Sequence, residues 1–355
     1  MNTNNNYCVI MAGGIGARFW PYSKNSRPKQ FLDFFGTGRS LIQLTFDRFR
    51  QVVPVENILI VSNRLYKDLI LEQLPELKSE QVLLEPMRRN TAPCIYYAVS
   101  RIKSKTDKAN IIVAPSDHLI LNEVNFLDTI RQGLDFVEQN DALLTLGIKP
   151  SRPETGYGYI QADLTCCSPR NKEIYRVDSF KEKPNLETAQ KYIAESRYFW
   201  NAGIFIWSVR TVVNAFRIYQ PSLANIFESI ADVYGTENEQ KVIDERFPEC
   251  ENISVDYAIM EKAEEIFVCP ASFGWSDLGT WGSLWTQTKH DLMGNSLIGN
   301  GISTFETRNC IIHTTENKQV VVQGLDGYIV AEKDGRLLIC KLSEEQRIKQ
   351  FSGQN

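Results

Sequence analysis

Histidine is scarce in this chain, three in 355 residues, and the three stand far apart, which argues against a zinc site. The eight cysteines include no C-x-x-C pair, only the adjacent Cys166-Cys167. They read as reduced thiols rather than a disulfide frame. No apolar run approaches the length that spans a bilayer. The polar start, Met1 to Asn6, lacks the basic and apolar parts of a secretory signal, so the expected compartment is the cytoplasm. Charge of one sign is also lacking. A net charge of −4 offers no general attraction for nucleic acid or an anionic membrane, so any anion site must be a local cluster of basic groups. No repeat of fixed period is present, nor a low-complexity stretch beyond the asparagine-rich start.

What is present is an alternation. β-rich runs at Cys8–Ala12, Ile58–Ser62, Val82–Leu84, Ile111–Ala114 and Leu143–Ile148 are separated by helical patterns at Leu41–Val53, Leu65–Leu74, Ala92–Lys103 and Phe126–Asn140. That order predicts an α/β fold with a mostly parallel sheet. Ligands of such sheets bind beyond the carboxyl ends of the strands. After Pro153 the pattern loosens: Tyr157–Ala162 and Tyr175–Phe180 alternate like antiparallel strands. From about Asn295 only short strands and turns remain. The expected organisation is a large region, 1–292, and a small all-β appendage, 293–355.

The first strand runs into Gly13-Gly14-Ile15-Gly16, then Arg18, then Pro28-Lys29. A dinucleotide fingerprint fails, because the sixth position counted from Gly14 is Phe19. A P-loop fails too, because Ala17-Arg18 follows the last glycine. Glycines without Cβ let backbone N–H groups close around phosphate oxygens, and Arg18 and Lys29 add countercharge. Taken alone, the same residues describe a strand-to-helix turn with two solvated cations.

Further stretches sit where a sheet would present them. LLEPMRRNTAP carries Glu85, whose two oxygens can accept the paired donors on N1 and N2 of guanine, although on its own it is better explained as a solvated loop glutamate. IIVAPSDHLI delivers Asp117, and FGWSDLGTW delivers Asp277. Two carboxylates together with substrate phosphates make a Mg²⁺ site, whereas each aspartate alone is as well explained as a helix cap. FKEKPN offers Glu182 and Lys183, and WNAGIF offers Asn201 beside an aromatic. Both suit sugar hydroxyls and sugar faces, and both also suit plain surface turns.

Taken together and in order, AGGIGARFWPYS, RPKQF, EPMRRNTAP, APSDH, RPETGYGYI, FKEKP, WNAGIF, SVDYAIMEK and GWSDLGTW resemble the sugar-nucleotide pyrophosphorylases. Within them, the match is to the bacterial guanylyltransferases that act on mannose 1-phosphate. The resemblance covers nearly the whole chain. It implies a nucleotide-diphospho-sugar transferase fold (Rossmann-like) with a C-terminal appendage of partial β-helix type. It also implies GTP and mannose 1-phosphate as substrates, GDP-mannose and pyrophosphate as products, and Mg²⁺ or Mn²⁺ as cofactor. Carried over by position, Gly13, Gly14, Gly16, Arg18 and Lys29 belong to the triphosphate loop, and Glu85, Arg89 and Asn90 to the guanosine segment. Glu182, Lys183, Asn201 and Gly156 fall to the sugar phosphate, and Asp117 and Asp277 to the metal. Arg18, Lys29 and Lys183 are the expected catalytic cations. Two positions depart from the family pattern: Ala17 stands where threonine is common and Phe19 where leucine is common. Longer members carry a fused cupin domain for isomerisation. This chain ends at Asn355, so no isomerase activity is expected of it. A homodimer is the assembly to test. Two other readings stay open at this point: the same chemistry on another sugar 1-phosphate, and a catalytically inactive subunit that senses the nucleotide-sugar.

Overall fold

The structure, a computed structural model, describes residues 5–167, 173–315 and 318–353; the first four residues of the polar start lie outside that range. The chain divides into two compact units. One comprises Met1–Gly13, Thr45–Ser116 and Ile120–Trp275, the other Gly14–Leu44, Asp117–Leu119 and Ser276–Asn355.

The first unit is built on a nine-stranded sheet. Its strands are β1 (Asn6–Met11), β2 (Ile58–Asn63), β3 (Val82–Glu85), β4 (Asn110–Pro115), β5 (Leu143–Ile148), β6 (Tyr159–Cys167), β7 (Tyr175–Lys181), β8 (Tyr198–Ser208) and β9 (Ile266–Ala271). They lie in the order β3-β2-β1-β4-β8-β5-β9-β7-β6, and β6 pairs back onto β8, so β8, β5, β9, β7 and β6 close into a ring. The sheet is mixed, which corrects the expectation of a mostly parallel one. Neighbours are parallel at β1–β2, β2–β3, β1–β4 and β5–β9. β8 is antiparallel to β4, β5 and β6, β7 to β6 and β9. Parallel neighbours need a crossover of a dozen or more residues, whereas shorter links allow antiparallel pairing. The apolar runs of β1, β4 and β8 are covered on both faces, and Cys8, Val9, Ile10, Ile111, Ile112, Ile206 and Trp207 are buried. Among the helices, Thr91–Lys103 begins at Asn90, whose side chain accepts the Thr91 N–H, and places Pro93 in the first turn, where a missing N–H costs nothing.

The second unit ends in short coils of chain. β10 (Ser296–Ile298), β12 (Ile311–His313) and β14 (Tyr328–Lys333) stack in parallel, as do β11 (Ile302–Phe305) and β13 (Val320–Gln323). β15 (Arg336–Lys341) closes the stack antiparallel to β14 through Asp334-Gly335. Both turn residues have positive φ, 51° and 74°, as a two-residue hairpin turn requires. Buried Asn295 ties the first coil together: its Nδ2 donates to Thr307 O at 2.9 Å and its Oδ1 accepts the Cys310 N–H at 3.1 Å. The core of this unit joins Phe19, Tyr22, Phe34 and Trp281 to Ile311, Ile329, Ala331 and Leu338. The Phe19 ring lies 4.7 Å from that of Phe34 and 5.3 Å from that of Trp281. The family departure at Phe19 is thus a packing residue.

Candidate active site

In the second unit the glycine loop turns its carbonyls inward. Gly14 O accepts from Gln30 Nε2 at 3.0 Å, Gly16 O from the Phe19 N–H at 3.0 Å, and Ile15 O from Ser23 Oγ and the Lys29 N–H. Among the described residues the N–H groups of Gly14, Ile15 and Gly16 meet no protein acceptor. Successive unpaired amides of this kind form an anion-binding concavity. Gly16 has φ 65°, and a Cβ there would stand 2.4 Å from Lys29 Cβ, so only glycine fits. Around Gly14 a Cβ would meet nothing within 4 Å, which leaves room for a ligand. Arg18 follows on a short 3₁₀ turn, with Nη1 3.5 Å from Gly279 O.

Lys29 is buried, and its ammonium has three protein acceptors. They are Asp117 Oδ2 at 2.9 Å, Asp277 O at 2.8 Å and Leu278 O at 2.9 Å. An ammonium has three N–H donors, so all are spent. Burial pushes the Asp117 carboxyl up, but Lys29 and His118 outweigh it and hold the group below its usual range. Asp277 accepts the Gly279 N–H at 3.0 Å, and Leu278 beside it has φ 45°. Among the described residues no group of three or more histidine, cysteine or acidic side chains could hold a metal. Two carboxylates therefore do not make a structural metal centre. They do match Mg²⁺, which takes one or two carboxylates and fills its shell with phosphate oxygens and water.

In the first unit Glu85 ends β3. Its Oε1 is buried without a partner, and its Oε2 lies 3.7 Å from where a Gly13 Cβ would stand. Burial, only partly offset by Cys94 and Arg88, pushes this carboxyl up to about 7. Arg89 Nη2 donates to Pro248 O at 2.7 Å. Asn90 sits at φ 66° with its side chain capping the following helix. Both are thus held to the protein itself.

A second cluster forms where the start of β6 pairs with the end of β7 (Tyr159↔Lys181) and with β8 (Tyr159↔Trp200). Glu182 is buried, Lys183 Nζ lies 2.6 Å from Glu182 Oε1, and Lys183 has φ 46°. Burial lowers the Lys183 pKa, but Glu182 and Asp256 outweigh it and leave the group raised. Asn201 Oδ1 accepts from Thr145 Oγ1 at 2.9 Å and from the Gly203 N–H at 3.1 Å, and its Nδ2 donates to Asp256 Oδ1 at 2.9 Å. Asp256, the residue that sequence reasoning did not single out, opens a π-helical turn, Asp256–Met260. Burial and the neighbouring Glu182 push its carboxyl up to about 6. Its only sequence signal was its place in SVDYAIMEK. Gly158 lies against Glu182, where a Cβ would come within 2.5 Å of Oε2, whereas the Gly156 N–H is held by Glu154 Oε1 at 3.1 Å. Tyr157 contacts Trp200 and Trp275 edge-on, with ring centroids 5.2 and 5.1 Å away.

Six non-glycine residues among those described have positive φ, and three of them, Asn90, Lys183 and Leu278, fall in or beside these clusters. Such conformations cost about 1–3 kcal/mol each and gather at functional sites. Cavity volume is a poorer guide: a cavity of about 680 Å³ lined by Lys103, Asp107, Arg210 and Arg217 contains none of the candidate residues.

Residues 7–294 match the family model described as nucleotidyl transferase. A protein of Escherichia coli called mannose-1-phosphate guanylyltransferase is 34% identical over 96% of this chain and 74% of its own length. A namesake from Salmonella montevideo is 35% identical over 97% of this chain and 72% of its own. A crystal structure from Thermus thermophilus, described as a mannose-1-phosphate geranyltransferase, superposes with a TM-score of 0.86 at 29% identity over 99% of both chains. One from Helicobacter pylori, described as a mannose-6-phosphate isomerase, gives 0.62 at 25% identity over 77% of this chain and 99% of its own. Among the described residues no helix is long and apolar enough to cross a membrane. The chain belongs to the nucleotidyl transferase family, among the mannose-1-phosphate guanylyltransferases.

Proposed function

We propose that this chain makes GDP-mannose and pyrophosphate from GTP and mannose 1-phosphate. The observation that carries the reading is the run of unpaired N–H donors at Gly14, Ile15 and Gly16, with two aspartates joined through Lys29 in the same unit. The names borne by the guanylyltransferase relatives support the choice of base and sugar.

The chemistry requires an oxygen of the sugar phosphate to attack the α-phosphorus of GTP while pyrophosphate leaves on the far side. The nucleophile is already an anion, so no general base is needed, and the obstacle is bringing two anions together. The loop amides and Arg18 hold the triphosphate, and Lys183 takes the sugar phosphate. Lys29 acts as a positioning residue that fixes Asp117 and Asp277. Those two aspartates would hold Mg²⁺ or Mn²⁺, which when bound neutralises phosphate charge. Positioning and electrostatics then supply the acceleration. Glu85 accepts from guanine N1 and N2 in its ionised form. Arg89 and Asn90 shape the guanosine segment. Asp256, oriented by Asn201, accepts from a sugar hydroxyl beside Glu182, with Gly156 and Gly158 in the neighbouring turn. Residues 1–292 form the catalytic region, and 293–355 a partial β-helix that supports the glycine loop. The location is the cytoplasm, and any assembly is a homodimer.

The test is pyrophosphate release with Mg²⁺, crossing GTP, ATP, UTP and dTTP against mannose, glucose and fucose 1-phosphates. Release confined to GTP with mannose 1-phosphate is expected. Release with another pair would overturn the substrates and keep the chemistry. Silence with every pair, from folded protein that binds GDP-mannose, would establish the sensing reading instead.

A further inference from the structure

The second unit contains a cavity of about 490 Å³ whose lining includes Tyr22, Lys24, Arg27, Asp33, Lys333 and Asp334. None of these groups has a part in the proposed reaction. Both acids are already committed. Asp33 accepts the N–H groups of Phe35 and Gly38, at 3.0 and 2.7 Å, and Asp334 is ion-paired with Lys24. Arg27 is exposed at the rim. The Lys333 ammonium lies 4.9 Å from the centre of the Tyr22 ring. Two cations thus remain without a committed carboxylate in a concave site.

Tyr22 supplies the second, independent observation. It is 4% exposed, and its hydroxyl has no hydrogen-bond partner among the described residues. A buried hydroxyl left unpaired is destabilising, and an acceptor brought to it would relieve that cost. Burial, helped by Glu332 and Asp334, holds the phenol protonated well beyond its ordinary range. The Tyr22 ring is stacked on His313 at 4.1 Å and meets the Trp281 edge at 5.6 Å. With its ring occupied in this way, Tyr22 does not serve as a platform for a nucleobase. Two cations and one hydroxyl donor suit a compact, doubly charged oxyanion.

We propose that this cavity is an effector site for a phosphate group, free or as the ester of a small metabolite, held by Arg27, Lys333 and the Tyr22 hydroxyl. Its wall is the same segment that carries the glycine loop. Ser23 Oγ donates to Ile15 O, Lys24 and Arg27 pair as a tight turn, and Lys29 follows. A ligand that fixes Tyr22 and Arg27 therefore stiffens the loop that the proposed reaction uses.

The experiment is calorimetric titration of the full-length protein, saturated with GDP-mannose, with inorganic phosphate and separately with a hexose 6-phosphate. One site is expected in the wild type, weakened about tenfold or more (~1.4 kcal/mol) in the double variant Arg27→Ala/Lys333→Ala. Tyr22→Phe, which keeps the ring packing and removes the unpaired hydroxyl, should weaken it about threefold without lowering the melting temperature. Phosphate binding without ester binding would assign the free ion; binding of both would assign an ester-accepting site. The proposal fails if the wild type shows no saturation by about 10 mM, or if the double variant binds as the wild type does, which would mean an adventitious ion only. Repeating both titrations without GDP-mannose separates this from the functional reading. The difference between wild type and double variant persists even if GDP-mannose itself does not bind.

Discussion

The ammonium of Lys29 lies 2.9 Å from Asp117 Oδ2 and, with its other two donors, on the carbonyls of Asp277 and Leu278. One buried cation thus sets the spacing of two aspartates 160 residues apart in sequence. Removing one partner of such a buried pair is costly, about 3–5 kcal/mol, because the other charge is left unpaired.

Lys29→Met should therefore depress stability and kcat together. Asp277→Ala and Asp117→Ala should lower kcat by about 10²–10³, roughly 3–4 kcal/mol of transition-state stabilisation. Steady-state kinetics with saturating substrates, beside a melting curve, separate the two effects. Near-wild-type turnover in both aspartate variants would remove the proposed metal site.

The glycine loop offers a matched pair of variants. Gly16→Ala forces a side chain into the left-handed region, at about 1–2 kcal/mol, and drives its Cβ into Lys29. It should lower the melting temperature by several degrees and impair turnover. Gly14→Ala meets open space and should melt as the wild type does, while its KM for GTP rises. Equal melting temperatures for the two variants would contradict the geometry.

Glu85 makes stability and nucleotide affinity depend on pH in opposite senses. Its carboxyl rises from an ordinary 4.5 to about 7 on folding, so between those values the folded protein binds more protons than the unfolded chain. That contribution to stability is lost as pH rises from 4.5 to about 7. GTP, which needs the ionised carboxylate, should bind more tightly as pH rises through about 7. Glu85→Gln should melt higher than the wild type at pH 8, flatten the pH dependence and blunt the preference for GTP over ATP. An unchanged GTP preference would place base recognition elsewhere.

Asp256→Asn tests the sugar cluster. The KM for mannose 1-phosphate should rise about tenfold, the loss of one charge-assisted hydrogen bond, while the KM for GTP holds. In the wild type, sugar-phosphate affinity should fall as pH drops through about 6, where this carboxyl takes up its proton. A variant that leaves both KM values unchanged would assign Asp256 a purely structural part.

Deleting the residues after Gly294 should not leave an intact catalytic region. Phe19, Tyr22 and Trp281 pack on Ile311, Ile329 and Ala331, and fully burying one such side chain is worth about 1.5–3 kcal/mol. The truncated chain should lose activity and melt at a lower temperature. Retention of both would show that the glycine loop is supported without these strands.

The sequence by itself determined the elements whose signal is local. The apolar runs of β1 to β5 and the helix over 92–103 follow from side-chain period within a few residues. The candidate residues at Glu85, Asp117 and in the glycine loop were legible for the same reason, since Glu85 ends β3, Asp117 lies two residues past β4 and the loop opens two residues past β1. Only the tertiary structure decided that β8 enters the sheet antiparallel between β4 and β5, because strand neighbours are chosen by pairing across long separations. It alone decided what each polar atom meets. Lys29 is spent on protein acceptors, Asn201 orients Asp256, Arg89 is tied to Pro248, and Phe19 belongs to a core it shares with the last strands. A hydrogen bond or a packed ring is a property of two groups, and its second member is set by the fold rather than by the neighbouring sequence.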